Sequence, residues 1–196
     1  MKKNLLTAAA LAAMLAAPTL PAMAQEHENP FLKPYTTKYE IPPFGDIKVS
    51  DFIPAIKAGI EEQKQNINSI VTNRARADFD NTILPLENLS PILERVSTIF
   101  YMYDGAMADD AFAAMAEEAI PLLNQASNDV ALNDLLFQRI KAVYENRDKL
   151  KLDKVQKRLV EKYYRQFAEK GAALPADKKA ELIKVNDELS KLFIQY

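Results

Sequence analysis

The residues with the clearest potential for chemistry lie close to the amino terminus. His27 and Glu28 could begin an H-E-x-x-H pattern, in which two histidines one helical turn apart hold zinc and the glutamate activates its water. Phe31 occupies the position of the second histidine, and Pro30 would interrupt the helix that must place both ligands on one face. We therefore predict that His27, the only histidine of the chain, lies in a disordered terminal segment and binds no metal.

A second candidate site is a possible calcium loop. Asp78, Asp80 and Thr82 match its first three ligand positions. Ile83 stands where the loop needs glycine, and Leu89 stands where it needs a bidentate acid. We expect these polar residues to cap a helix that begins near Thr82 rather than to bind an ion.

Two pairs of acids, Asp109-Asp110 and Glu117-Glu118, could suggest acid/base or metal chemistry. Consecutive helical residues point about 100° apart, so neither pair converges on one point. The pattern is more typical of a helix start followed by a solvated helix face.

A basic stretch could suggest an anion-binding surface. It consists of Lys149, Lys151, Lys154, Lys157, Arg158 and Lys162. Asp148, Asp153 and Glu161 are interleaved with it, as on a solvent-exposed helix face. The formal charge of −2 becomes −4 if Lys2 and Lys3 are removed with a signal, which favours neither nucleic acid nor an anionic membrane as a partner.

Aromatic residues cluster at Phe100-Tyr101-Met102-Tyr103. Phe100 and Tyr103 are expected in the core, whereas Tyr101 stays open as a contact for a peptide substrate. The chain has no cysteine, and hence no disulfide, thiol nucleophile or thiolate metal site. The residues thus identify no catalytic, cofactor-binding or metal-binding side chain.

The first 24 residues have the pattern of an export signal. Lys2 and Lys3 precede an apolar run from Leu5 to Ala17, which is shorter than the roughly 18 residues that a membrane-spanning helix needs. Ala22-Met23-Ala24 places small residues at the positions read by signal peptidase, so we predict cleavage between Ala24 and Gln25. Export to the periplasm, without a stable membrane anchor, is the expected outcome.

The remaining chain predicts an all-α fold of antiparallel helix pairs. Residues 25–49 contain four prolines and no helical period, so they should lie extended, held by Phe31, Tyr35, Tyr39 and Phe44. Residues 50–196 should form one helical domain. The whole chain of 196 residues is 48% hydrophobic and 27% charged, a composition that suits one folded soluble core. Its apolar stripes fall at Phe52, Ile56, Ile60, Ile67 and Ile70; at Ile92, Leu93, Val96, Ile99, Phe100 and Tyr103; at Leu132, Leu135, Leu136, Ile140, Val143 and Tyr144; and at Leu182, Val185, Leu189 and Phe193.

Helix boundaries are also indicated. Ser50 is predicted to cap the first long helix, and Asp153 with Gln156 forms a capping-box pattern. Gly171 should end that later helix, and Pro175 should lie in the first turn of the last one. Separately, Pro91 and Pro121 should each kink or restart a helix.

Several blocks of sequence carry a family resemblance. In chain order they are Asn29-Pro30-Phe31, Pro42-Pro43-Phe44 with Ile47-Lys48, Phe52-Ile53-Pro54-Ala55 with Glu61-Glu62-Gln63, Phe79-Asp80-Asn81-Thr82 with Leu86-Glu87, Leu135 to Lys141, and Asn186 to Ser190. Together they resemble the amino-terminal part of the thimet-type zinc oligopeptidases, most closely the peptidyl-dipeptidase (dipeptidyl carboxypeptidase) and oligopeptidase A branch. The resemblance runs from about Asn29 to Tyr196.

This resemblance implies a zinc metallopeptidase that cleaves short peptides in a channel between two helical halves. None of the family's zinc ligands or catalytic residues matches a position here, so the chain alone is expected to be inactive and to bind no zinc. Where many relatives have a histidine before an Asp-x-x-Leu-Asn stretch, this chain has Ser127-Asn128-Asp129. Two interpretations stay open: a fragment lacking its carboxy-terminal catalytic part, or a complete helical module that binds peptides or a partner. The fragment interpretation predicts an uncovered apolar stripe, most plausibly on the last helix.

Overall fold

The computed structural model describes residues 27–106 and 109–195, and this part of the chain is all-helical. The six α-helices are α1 (Val49–Val71), α2 (Pro91–Ala106), α3 (Asp110–Ala131), α4 (Asp134–Asn146), α5 (Lys154–Glu169) and α6 (Ala176–Gln195). Shorter helical turns lie at Pro30–Leu32, Lys38–Glu40, Phe79–Ile83 and Leu84–Asn88. No strand occurs within the described ranges, which confirms the all-α prediction. The predicted signal, residues 1–24, and its cleavage point lie outside them.

The first hydrophobic cluster joins α1, α2 and α3. Helix α1 runs antiparallel to α2, because Phe52 near its start meets Phe100 near the end of α2, with ring centroids 6.2 Å apart. At the other end of the pair, the Ser90 hydroxyl donates a 2.8 Å hydrogen bond to the carbonyl oxygen of Gly59. The centre of this cluster is aromatic, and Phe31, Phe52, Phe100 and Phe112 are fully or almost fully buried in it.

The second cluster joins the end of α1 to α4 and α5. Phe137 and Tyr144 of α4 both stack on Tyr164 of α5, with ring centroids 5.8 and 4.0 Å apart. Ile67 and Ile70 extend the α1 stripe into this cluster. Helix α1 therefore contributes to both cores, as its predicted apolar stripe requires.

Most predicted helix boundaries agree with the structure. Asp153 accepts a hydrogen bond from the Gln156 N–H at 2.8 Å, and the Gln156 side chain accepts one from the Asp153 N–H at 3.1 Å, so the capping box is confirmed. Gly171 follows the end of α5 with φ of 97°, a left-handed conformation that glycine adopts without strain. Pro91 begins α2, as a restart predicts, and Pro121 lies inside the continuous α3.

Two boundary predictions need correction. Helix α1 begins at Val49, and its first turn is stabilised by Asp51, whose carboxylate accepts from the Lys48 N–H at 2.8 Å; Ser50 is not the cap. Pro175 immediately precedes α6, whose first residue is Ala176. The N-cap residue of α1 is Lys48, two residues before Ser50, and Pro175 lies one residue before the first turn of α6. Differences of one or two residues are ordinary at helix ends.

The segment before α1 is held at some of the predicted points. Phe31 is buried against Phe52, at 5.0 Å between ring centroids, and Phe44 stacks on Tyr103 at 6.4 Å. Tyr39 is 82% exposed, so its predicted role in holding the segment is wrong.

Among the helices of the described residues, none combines the length and apolar character needed to cross a membrane.

Candidate functional site

His27 is part of a polar contact that the sequence did not predict. Its Nε2 lies 2.8 and 2.9 Å from the two carboxylate oxygens of Asp51, and the Asp51 side chain is almost fully buried. Asn29 strengthens the junction, since its side-chain amide donates to the Asp51 carbonyl oxygen at 2.8 Å. The prediction of a disordered His27 is therefore wrong: the imidazole fastens the amino-terminal segment to the first turn of α1.

The possible calcium loop is a capped helical turn. Asp78 accepts from the Asn81 N–H at 2.9 Å, and the Asn81 side chain accepts from the Asp78 N–H at 3.1 Å. The capping role predicted for these residues is confirmed at Asp78, but the turn begins at Phe79 rather than near Thr82, which is buried. Within the ranges that the structure describes, no group of three or more histidine, cysteine or acidic side chains is arranged to hold a metal ion.

The acidic and basic patterns also have structural roles. Asp109 caps α3 by accepting from the Phe112 N–H at 2.8 Å, and Glu118 is exposed and pairs with Lys57 at 2.9 Å. In the basic stretch, Lys157 lies 3.0 Å from Asp148 and lowers the pKa of that carboxyl by hydrogen bonding and charge. Both patterns are solvated helix faces, as predicted.

A cleft lies between the two hydrophobic clusters and is here called the central cleft. It has two lobes that share four residues at their junction: Tyr101, Ser127, Ala131 and Lys170. The inner lobe, about 400 Å³, lies among α1, α2, α3 and α5. The outer lobe, about 700 Å³, opens between α2, α3, α5 and α6.

The inner lobe is lined by both apolar and polar side chains. Leu93, Leu123 and Phe167 contribute to its walls. Gln63 also lines it and is only 8% exposed, and its Oε1 atom is buried without a hydrogen-bond partner among the described residues. An unpaired buried amide oxygen of this kind costs about 1–3 kcal/mol of stability.

The outer lobe contains two acidic side chains. Asp104 and Glu169 supply carboxylates, and Asn128 lies on the α3 side. Tyr101 stands where the lobes meet; partial burial, and next the charge of Asp104, raise the pKa of its phenol. Tyr101 is therefore a neutral hydrogen-bonding group at neutral pH, at a position where it can contact a molecule in either lobe.

The described residues that line the cleft include no histidine or cysteine that could serve as a base or nucleophile. Phe100 is buried and Tyr103 packs against the first cluster, as predicted, which leaves Tyr101 accessible. Sequence reasoning missed Gln63, although a signal exists: it interrupts the apolar stripe between Ile60 and Ile67 at helical spacing.

Several known proteins are similar in sequence to this chain over most of its length. The dipeptidyl carboxypeptidase of Escherichia coli (strain K12) is 35% identical over 168 residues, which are 86% of this chain and 25% of that protein. The chain is a homologue of the thimet-type oligopeptidases. The dipeptidyl carboxypeptidase of Salmonella typhimurium is 34% identical over the same shares of both chains, and oligopeptidase A of Escherichia coli is 24% identical over 83% of this chain and 24% of its own.

The relation to the amino-terminal part of this peptidase family is thereby confirmed. The chain spans about a quarter of the length of the curated relatives it matches. No family model matches it.

The zinc that the resemblance implies does not fit the residues present. The sequence has one histidine and no cysteine, and Nε2 of that histidine is already in contact with Asp51. A thimet-type zinc site needs two histidines and carboxylates on one set of helices. No step of zinc chemistry is therefore assigned to this homologue's own side chains.

Proposed function

We propose that this chain is the non-catalytic amino-terminal part of an exported zinc metallopeptidase of the peptidyl-dipeptidase type, which cleaves short peptides. In this proposal the zinc ligands and the catalytic glutamate belong to a carboxy-terminal part beyond residue 196. The chain supplies helices that border the peptide channel and restrict entry to short, unfolded substrates. It binds zinc nowhere itself and is inactive alone.

The observation that carries the proposal is the pattern of coverage. The dipeptidyl carboxypeptidase of Escherichia coli matches 86% of this chain, yet the match covers only 25% of that enzyme. Most of the relative's length, therefore, has no counterpart in these 196 residues. A peptidase of this type requires a metal-ligand set that the chain's single histidine cannot provide.

The surface of α6 supports the same proposal. Four of its large apolar side chains are exposed, namely Ile183, Val185, Leu189 and Leu192. Val185, Leu189 and Leu192 share one face of α6, whereas Ile183 lies on the opposite face. An exposed apolar stripe like that of the first three residues is typical of an interaction surface, because free exposure of such area favours association. A carboxy-terminal part would cover it in the proposed enzyme.

The direct test is to read the source DNA past the Tyr196 codon. We expect the same reading frame to continue for several hundred codons and to encode H-E-x-x-H. A stop codon at that point would contradict the proposal.

A biochemical test uses the predicted mature chain, residues 25–196, with zinc and a short fluorogenic peptide. We expect no hydrolysis, because the chain has no ligand set for the metal. Zinc-dependent cleavage by the pure chain, abolished by chelation, would show that the assignment of catalysis to another part is wrong.

Periplasmic export is tested by fractionating cells and determining whether the chain begins at Gln25.

An alternative function is a stand-alone module that binds peptides or a protein partner. The central cleft favours it, since it is concave and is lined by both apolar and polar side chains, as ligand sites often are. A stop codon after Tyr196 together with peptide binding would support this alternative.

A further inference from the structure

We propose that a groove on the surface of α5 docks an acidic helical segment of a separate protein. The groove has a volume of about 690 Å³ and is here called the α5 groove. On one side it is lined by Glu87 of the Leu84–Asn88 turn. Its other lining residues all belong to α5: Lys154, Val155, Arg158, Leu159, Lys162, Arg165 and Gln166.

Four cations form a row along this groove. Lys154, Arg158, Lys162 and Arg165 follow one another at intervals of four, four and three residues. This spacing places them within about 80° of the helix circumference, in a row about 16 Å long. Lys157 stays outside the row, because its ammonium group pairs with Asp148. The basic stretch of the sequence thus contains a row of like charges on one face of the helix.

Little within the described chain neutralises the row. Lys154 and Lys162 form no ion pair with any acidic group among the described residues. Arg158 and Arg165 lie 3.7 and 3.8 Å from glutamates of the same helix, in exposed pairs of a kind that contributes little to stability. Their charges are therefore available to carboxylates of a partner.

The rest of the groove combines apolar surface with one carboxylate. Val155 is 77% exposed, and Leu159 lies partly buried beside it. Glu87 is the only acidic residue that lines the groove, and its carboxylate accepts a hydrogen bond from the Tyr163 hydroxyl. A partner would therefore meet an apolar strip bordered by positive charge, which suits a segment that has carboxylates beside an apolar side chain.

The shape of the groove and the charge of the whole chain favour a protein segment over other polyanions. The chain has a formal net charge of −2, which opposes the approach of a nucleic acid or an anionic membrane at long range. A flat lipid surface also fits a concave groove poorly. A helix with acids at intervals of three and four residues can match the whole cation row.

The difference between α5 and α6 indicates a separate protein as the source of the segment. Val185, Leu189 and Leu192 give α6 an apolar stripe, and permanently covered interfaces are more apolar than reversible ones. The α5 groove is bordered by four charges instead. Such charges speed association and set the choice of partner in reversible complexes.

The test is an NMR titration of ¹⁵N-labelled residues 25–196, whose described part contains both hydrophobic clusters. One probe is a capped twelve-residue peptide with four glutamates and two leucines at helical spacing among alanines. The other has glutamine in place of each glutamate. At about 0.15 M salt, the acidic peptide should shift the signals of residues 154–166 in a saturable manner. The glutamine peptide should bind about tenfold more weakly, because it offers no charge to the row.

Charge-reversal variants locate the binding. Arg158→Glu combined with Lys162→Glu should weaken binding of the acidic peptide about tenfold or more, because repulsion replaces attraction in the middle of the row. Lys149→Glu combined with Lys151→Glu changes the net charge by the same amount at exposed positions outside the groove. This control should weaken binding by less than about threefold, since its charges act only through screened solvent.

The apolar strip is tested by truncation of one methyl-bearing side chain. Val155→Ala should weaken binding of the acidic peptide about threefold, because it removes apolar area that the peptide covers. Val185→Ala makes the same change on α6 and should leave binding unchanged. Both valines are exposed, at 77% and 58%, so both variants should remain folded.

Several results would overturn the proposal. The absence of a saturable shift at about 5 mM peptide, equal binding of the two peptides, or equal losses in the two charge-reversal variants would each do so. Phosphatidylglycerol vesicles that shift the α5 signals when the acidic peptide does not would assign the row to a membrane surface instead. A longer gene product that fails to bind the acidic peptide would show that the protein itself covers the groove, which also contradicts a separate partner.

These outcomes are distinct from the tests of the proposed function. Failure of the acidic peptide to bind would leave a continued reading frame, and hence the peptidase assignment, intact. A stop codon after Tyr196 would end the peptidase assignment, while a positive titration would still support the docking surface.

Discussion

Helices α1 and α6 have similar lengths and similar apolar stripes in the sequence, but the structure treats them differently. Helix α1 has 23 residues, and its stripe is buried by α2, α3, α4 and α5. Helix α6 has 20 residues, and four of its large apolar side chains are exposed. An apolar stripe thus shows that a helix face has a partner, while the identity of that partner depends on the rest of the chain.

The largest expected difference between the two helices comes from truncating one apolar side chain in each. Phe52 on α1 is buried and lies 5.0 to 6.2 Å from four other aromatic rings. Phe52→Ala should lower the free energy of unfolding by about 3–5 kcal/mol, measured by chemical denaturation. Leu189→Ala is the matched control on α6 and should change it by less than about 1 kcal/mol, because Leu189 is 49% exposed. Similar losses of unfolding free energy in both variants would contradict the difference in burial between α1 and α6.

A second prediction concerns how closely α1 is covered. A Cβ atom added at Gly59 would lie 2.7 Å from the backbone nitrogen of Leu93 and 2.9 Å from its Cα. Gly59→Ala should therefore force α1 and α2 apart and cost about 1–3 kcal/mol of stability. Gly105→Ala, in α2 with nothing within 4 Å of the added atom, should stabilise by roughly 0.5 kcal/mol instead. A Gly59→Ala variant as stable as the wild type would contradict the close packing of α1 against α2 at Leu93.

Local signals in the sequence predicted much of the fold. The capping box at Asp153 and the left-handed Gly171 are set by residues within a few positions of each other, and both are confirmed. The apolar stripe of α1 was also predicted from the sequence, because the apolar residues of a helix that packs on its neighbours recur at the helical period along the buried face.

Contacts between distant residues could not be predicted in the same way. His27 contacts Asp51, which lies 24 positions later in the sequence, and the residues next to each of them do not indicate this contact. Gln63 follows two glutamates but also falls at the helical spacing of the α1 stripe, so the local sequence leaves its burial undecided. In the structure it is buried where α2, α3 and α5 approach α1. The family blocks identified the relatives, but the central cleft emerged only from the packing.

A smaller difference is expected at the helix starts. Asp51 is buried; its carboxylate accepts one hydrogen bond from the Lys48 N–H and contacts Nε2 of His27. Asp51→Ala should cost about 1–2 kcal/mol, because it leaves these groups unpaired. Asp177 lies in the first turn of α6 and is exposed, so Asp177→Ala should cost only about 0.3 kcal/mol through the helix dipole. Equal costs, measured by thermal denaturation at neutral pH, would contradict the assigned role of Asp51.

The smallest expected change in stability tests α6 itself. Leu189 and Leu192 are 49% and 51% exposed, so the double variant Leu189→Ser and Leu192→Ser should alter the free energy of unfolding by no more than about 1 kcal/mol. The same variant should bind less of an apolar dye and associate less in analytical ultracentrifugation, because it removes the uncovered apolar surface. A loss of several kcal/mol would mean that this chain already covers the stripe. In that case the need for a further part to pack on α6 would disappear, and the coverage of the relatives would stand alone as support for the fragment.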